Sequence, residues 1–256
     1  MTHPIRTLAG CAALAAGLWL VSAAATADTP QLPKSSYQKA AEADVKFLQT
    51  RLAELAKDPK PRPGFYKPAI GIALLLSAYG DALGDAKLKG DAIKVAEALD
   101  KKDFKGADAL AKNLAVKPGT PGKGAALPKP FGDEDMLYYV MNPFRGGTVG
   151  GLNLENEIGA LTKSKNPAPV DPSAVEILAA RSAVINAYAF HHPNEKAKTN
   201  AANKKLWEKW STEAVDLSKQ LAEEAGKGKG FDEKKIRTTL KNLESRCADC
   251  HEKFRD

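Results

Sequence analysis

The chain has 256 residues, 43% of them hydrophobic, enough apolar material for one large or two small packed domains, which excludes a disordered protein. Its 38 Lys and Arg against 31 Asp and Glu give a formal charge of +7, a balance that favours acidic partner surfaces. The basic residues are scattered, without the compact patch interleaved with aromatics that nucleic-acid binding requires, so no nucleic-acid partner is expected.

At the N-terminus, Arg6 precedes an almost wholly apolar run from Leu8 to Ala25, and Ala25-Thr26-Ala27 has the small-x-small form of a signal-peptidase site. Residues 1–27 therefore read as a removed export signal, which makes the mature protein periplasmic or otherwise exported. A retained anchor needs about 20 apolar residues and a positively charged stop, and Asp28, Thr29 and Pro30 supply neither. Leu8-Ala9-Gly10-Cys11 has the look of a lipoprotein box, but its cysteine stands ahead of the apolar run instead of behind it. Loss of the signal removes Cys11 and leaves Cys247 and Cys250.

Residues 28–116 read as an N-terminal helical region. Tyr37, Ala41, Val45, Leu48, Leu52 and Leu55 recur at steps of four and three, the stripe of a helix of about six turns, which the prolines at 59, 61 and 63 stop. A second helix is predicted over 68–83, and two shorter ones over 92–99 and 104–114. Strand signals are nearly absent, so the fold class is all-α. Residues 117–170 read as a Pro/Gly linker followed by an irregular insert, whose aromatics are assigned to core or lid.

The last segment, 171–256, holds three predicted helices. Asp171 or Ser173 caps the first, with Pro172 in its opening turn and Glu176 completing a Ser-x-x-Glu capping box; Leu178, Arg181, Ile185 and Tyr188 share one face. The second runs over 197–225 with Leu206, Trp210, Ala214, Leu217 and Leu221 as its stripe, and the Gly/Lys run at 226–230 breaks it. The third begins near Asp232 and carries Ile236, Leu240, Leu243, Cys247, Cys250 and Phe254 toward the core.

The chemistry lies at the end of that helix. Cys247-x-x-Cys250-His251 is the spacing for covalent haem c: residues three apart share a helix face, so two thiols reach the two vinyl groups of one porphyrin. His251 is then positioned as the proximal iron ligand. A zinc site would need a second Cys or His pair at ligand spacing, and His191-His192 stand side by side. A thioredoxin-like pair opens a helix after a strand, whereas this one closes a helix. A plain disulfide would not call for His251.

“KLWEKWSTEAVDLSKQLAEEA”, a Gly-rich loop and a helix ending “ESRCADCHEKFR” closely resemble the third and fourth helices of the cytochrome c′ family, over roughly the C-terminal third of the chain. The resemblance implies a helical bundle holding one covalent haem near its C-terminus, with a basic residue in the place of Arg255. It also implies an Arg-x-x-x-apolar pattern on the family's first helix, and Arg181-Ser182-Ala183-Val184-Ile185 looks like its counterpart. By that carry-over Arg181 contacts a haem propionate, and Ile185 covers the sixth iron position without ligating it. The family places one more helix between its first and the Trp-bearing one, whereas here only residues 191–205 intervene. The missing helix is therefore expected from the N-terminal half.

The leading functional reading is an exported carrier with one covalent haem c, acting in electron transfer with a redox partner protein of acidic surface. His191, His192, Met136 and Met141 are the candidate sixth ligands for that role. With Ile185 as the cover instead, the alternative is a five-coordinate protein that binds NO or CO. A second alternative is a structural helical protein without haem. No catalytic constellation stands outside the haem ligands, so no enzyme is expected, and the resemblance allows a homodimer.

Overall fold

The computed structural model describes residues 30–255 except 121, 123, 145, 147–149 and 164–167. The expected export signal lies outside them. Among the described residues there are helices and no strands, the all-α class expected, and no helix is long and apolar enough to cross a membrane.

Four helices build the N-terminal half: α1 (Lys34–Leu55), α2 (Pro63–Leu83), α3 (Ala86–Asp100) and α4 (Phe104–Ala111). They close a ring, α1 on α2, α2 on α3, α3 on α4 and α4 back on α1. All six apolar positions of the α1 stripe are buried. Helix α2 starts five residues before the expected Pro68. Pro63 takes the first turn, where its missing N–H costs nothing, and Pro68 forfeits one bond to the carbonyl of Gly64 near the helix start. Apolar on nearly every side, α2 forms the centre of this half. Asp85 and Asp103 cap α3 and α4 through the N–H groups of Leu88 and Gly106, both at 2.9 Å.

The Pro/Gly stretch after α4 lies against the bundle. Gly119 N–H donates to Leu83 O (3.0 Å) and Lys117 N–H to Asp85 Oδ2 (2.6 Å). Gly84 ends α2 in the left-handed conformation at φ 69°, and a Cβ there would sit 1.7 Å from the carbonyl oxygen of Thr120.

The irregular insert contains two helices that sequence periodicity missed, α5 (Asp133–Met141) and α6 (Leu154–Thr162), with a 3₁₀ turn over Asn142–Phe144 between them. Gly71 on α2 lets the α5 end approach: a Cβ there would lie 2.1 Å from Tyr139 O and 2.9 Å from Pro143 Cδ. Tyr139 also donates its hydroxyl to Asp100 Oδ1 at 2.7 Å, tying α5 to α3.

The C-terminal half comprises α7 (Pro172–His191), the single turn α8 (Glu195–Lys198), α9 (Ala201–Ala225) and α10 (Glu233–Phe254). Asp171 caps α7 by accepting from Ser173 N–H, so the Ser173–Glu176 box does not form. Glu176 is buried and instead accepts from Ser36 (3.1 Å) and pairs with Lys39 on α1. The expected helix over 197–225 is interrupted at Asn200, which is extended and caps α9 through Asn203 N–H. The buried face of α9 is Trp207, Ser211, Ala214, Ser218 and Leu221, turned from the expected stripe in its first half: Leu206 and Trp210 flank it and Trp207 takes the centre.

Two cores result. One joins α1–α5 to Ala180, Val184, Ile185 and Tyr188 of α7. The other joins Val175, Leu178 and Ala179 of α7 to Ile158 of α6, to Ala214 and Leu221 of α9 and to Ile236, Leu240 and Leu243 of α10. Glu224 fastens the α9–α10 turn: it accepts from Lys227 (2.8 Å), Lys235 (2.7 Å) and Asp232 N–H (3.0 Å).

Gly71→Ala is expected to lower the urea midpoint through overpacking worth about 1–3 kcal/mol, measured by urea unfolding. The bonds from Lys227, Lys235 and Asp232 N–H hold the Glu224 carboxyl down to about 2, against about 4.3 in an unfolded chain. Its stabilisation is complete above the unfolded value and is lost as pH falls from about 4 toward 2. Urea midpoints across that range should fall less steeply in Glu224→Gln than in the native chain.

Candidate functional site

Helix α10 forms because Asp232 caps it through Lys235 N–H (3.1 Å) and because Ile236, Leu240 and Leu243 bury one face on α9 and α6. Continuing along that face, Cys247 packs on the edge of the same core and Cys250 on the Trp207/Phe254 cluster, as expected, and both also border a cavity. They are part-exposed, carry free thiols, and with His251 line a space of about 990 Å³. That volume stands at the upper end of the roughly 300–1,000 Å³ of cofactor and ligand pockets.

Five elements wall it. Helix α5 and the turn after it give Leu137, Tyr138, Met141 and Phe144; α6 gives Glu155 and Ile158, with Lys163 just past its end; α7 gives Asn186 and Ala189; α9 gives Trp207 and Trp210; and α10 adds Phe254 to the motif. The aromatic wall is braced. Trp207 meets Phe254 edge-on at 5.5 Å, Trp210 meets it at 5.8 Å, and the Trp207 indole donates to Ala189 O at 2.6 Å. Asn194 Nδ2 donates to Phe254 O at 2.8 Å, which ties the end of α10 to the turn before α8.

Burial pushes the Cys247 thiol up to about 12, helped by Cys250, Glu155 and Glu244. Burial, then Asp249, pushes Cys250 up to about 11. Burial, then the Arg255 guanidinium, lowers His251. At neutral pH the two sulfurs are therefore protonated and the imidazole is neutral, the form that binds iron. Charged groups also line the cavity. Lys163 pairs with Glu244 (2.6 Å), Arg246 with Asp249 (3.0 Å), and Arg255 stands beside His251.

Arg181 and Ile185 are elsewhere. Arg181 is buried against Asp44 of α1, with Nε at 3.1 Å and Nη2 at 2.5 Å from Oδ1, and Ile185 is fully buried in the N-terminal core. Neither lines the cavity, which corrects the placement of Arg181 at a propionate and Ile185 over the iron. Each residue turns a helix by about 100°. The face of α7 that borders the cavity is accordingly Asn186 and Ala189, while Arg181, Ile185 and Tyr188 look toward α1 and α2. Of the candidate sixth ligands, Met141 lines the cavity. Met136 is fully buried in the N-terminal core, and His191 and His192 lie outside the lining, His192 stacked on Tyr188 at 4.1 Å.

The residues fit a haem: two thiols on one helix face, an imidazole beside them, an aromatic wall for a flat apolar ring, and cations within reach of carboxylates. Among the described residues no group of three or more His, Cys, Asp or Glu is placed to hold a bare metal ion.

A sequence model of the family described as Cytochrome C′ matches residues 154–255. The match supports a haem c protein. It begins at α6 and spans α6, α7, α9 and α10 besides the single turn α8. No curated protein matches the chain, and no solved structure does.

Arg181→Met leaves Asp44 buried without its partner and should cost about 3–5 kcal/mol in urea unfolding, with the haem absorption spectrum unchanged. Trp207→Phe removes a buried donor from Ala189 O and should cost about 1–3 kcal/mol, read the same way.

Proposed function

We propose that this is an exported electron-transfer protein carrying one haem c, held covalently by Cys247 and Cys250 with His251 as proximal ligand. The observation that carries this reading is the convergence of all three motif side chains on one large aromatic-walled cavity inside the stretch that matches the cytochrome c′ family. When bound, haem supplies an iron that cycles between ferrous and ferric, with a potential set by its axial ligands and surroundings.

The chain's own residues do the rest. Cys247 and Cys250 would hold the group, each by adding its S–H across one vinyl, sulfur to one carbon and hydrogen to the other, which needs no net oxidant. His251 would offer a neutral imidazole nitrogen to the iron. Trp207, Trp210 and Phe254 exclude water from one side, and Leu137, Ile158 and Phe144 from another. Lys163, Arg246 and Arg255 are the cavity-lining cations that would face the propionates. The alternative of NO or CO binding drew its support from Ile185 as an apolar cover, and Ile185 lies in the other core.

Export follows from the apolar leader and suits covalent attachment, which keeps the cofactor on the chain. The surplus of seven positive charges suits a partner of acidic surface. The mature protein should exchange electrons with a small acidic redox protein at a rate that falls steeply with added salt. Stopped-flow mixing measures this. Exchange no faster than with a neutral reagent, at every ionic strength, would contradict the reading.

A further inference from the structure

Residues 133–144 lie outside the family match yet build one wall of the cavity: Leu137, Tyr138, Met141, Asn142 and Phe144 all line it. This wall is carried by the insert and packs on the N-terminal half. Helix α5 packs on α2 and α7, whereas α10, which carries His251, packs on α9 and α6. Met141 and His251 thus enter the space from different walls.

Resting on the haem reading above, we propose that Met141 is the sixth iron ligand, so that α5, from the insert ahead of the matched helices, completes the haem site. Side chains that ligate haem iron include His, Cys, Met and Tyr, and the cavity-lining lysine, Lys163, is held by Glu244 at 2.6 Å. Beyond the attachment motif, the cavity offers two of these, Met141 and Tyr138. Tyr138 is 43% exposed, with the Lys67 ammonium 4.6 Å from its ring centroid, and would have to lose a proton to bind. Met141 is half-buried and packs against the cluster of Ala189, Ala197, Trp207 and Phe254. Its thioether is neutral and binds either iron state without proton loss. Three rotatable bonds let the sulfur move within a cavity of this size.

The backbone at Met141 is well placed. It ends α5, Asn142 Nδ2 donates to Tyr138 O at 2.5 Å, and Leu152 N–H donates to Pro143 O at 2.9 Å. Gly71 sets the distance of this turn from α2, since a Cβ there would strike Tyr139 O. Wrapping the haem with a helix from outside the four matched helices gives the extra region a role in setting the potential, because a His/Met pair raises it.

The test uses the full mature chain with haem attached, and Met141→Leu, which keeps volume and packing while removing sulfur. Native ferrous protein should be low-spin and unmoved by CO, and its ferric form should show the thioether-to-iron charge-transfer band. Met141→Leu should lose that band, turn high-spin, take up CO and shift to a lower midpoint potential, while Tyr138→Phe behaves as the native chain. A native spectrum that is high-spin and shifts with CO overturns the proposal while leaving the haem reading intact. So does a Met141→Leu variant that stays low-spin, or a loss of ligation in Tyr138→Phe. A mature chain without the mass of a haem would overturn the reading beneath it, and electron exchange is scored separately by the salt-dependent rates.

Discussion

Helix α7 is the constraint on which the rest depends. It is apolar around nearly its whole circumference, with thirteen buried positions, so it has no solvent face to offer and must be enclosed. One side packs on α9 and the other on α1, α2 and α5. Small residues at Ala179, Ala180, Ala183 and Ala187 let both sets of neighbours come close. Ser218 donates to Ser182 at 3.0 Å across the α7–α9 seam. On the opposite side, the Arg181–Asp44 and Glu176–Lys39 pairs fix α7 against α1. Burial pushes the Asp44 carboxyl up against the pull of Arg181. A buried pair of this kind adds little net stability but heavily penalises any rearrangement that separates its members. It therefore holds the two halves in one register.

That register decides the shape of the cavity. With α7 shared, α5 is carried by the N-terminal ring to the edge of the space that α6, α9 and α10 leave between them. The aromatic contacts among Trp207, Trp210 and Phe254, and the short bond from Trp207 to Ala189, keep this wall rigid. Side chains around a space this large gain little from each other, so a haem filling it would act as part of the core and stabilise the fold.

Much of this was legible in the sequence because it rests on short-range chemistry. The α1 stripe, the Asp171 cap, the start near Asp232, the Gly break at 226–230 and the Cys247/Cys250/His251 motif each act within a few residues, whereas the Asp85 cap that starts α3 six residues before the expected Ala92 was missed. What failed was long-range. Helix α6 buries only Leu154 and Ile158 and begins at Asn153 in the left-handed region without a side-chain cap, so it has neither a periodic stripe nor a start signal. Arg181 and Ile185 were assigned by pattern to a haem-facing helix, but a helix enclosed on all sides has several buried faces. Which face meets the cavity depends on what packs behind it, and Asp44, 137 positions away, settles that for Arg181. Met141 and Tyr138 reach the site only because Gly71 admits the α5 end, a contact between positions that no local pattern links.

The central claim is that the cavity holds a haem bonded to this chain, and the most direct measurement is the mass of one peptide. Trypsin cleaves after Arg246 and Lys253, releasing Cys247–Lys253 with both cysteines and His251. From protein matured in cells equipped to attach haem, that peptide should carry the added mass of one haem, with the absorption of a thioether-linked porphyrin. The same peptide recovered with two free thiols, or with a disulfide between them, would contradict the account.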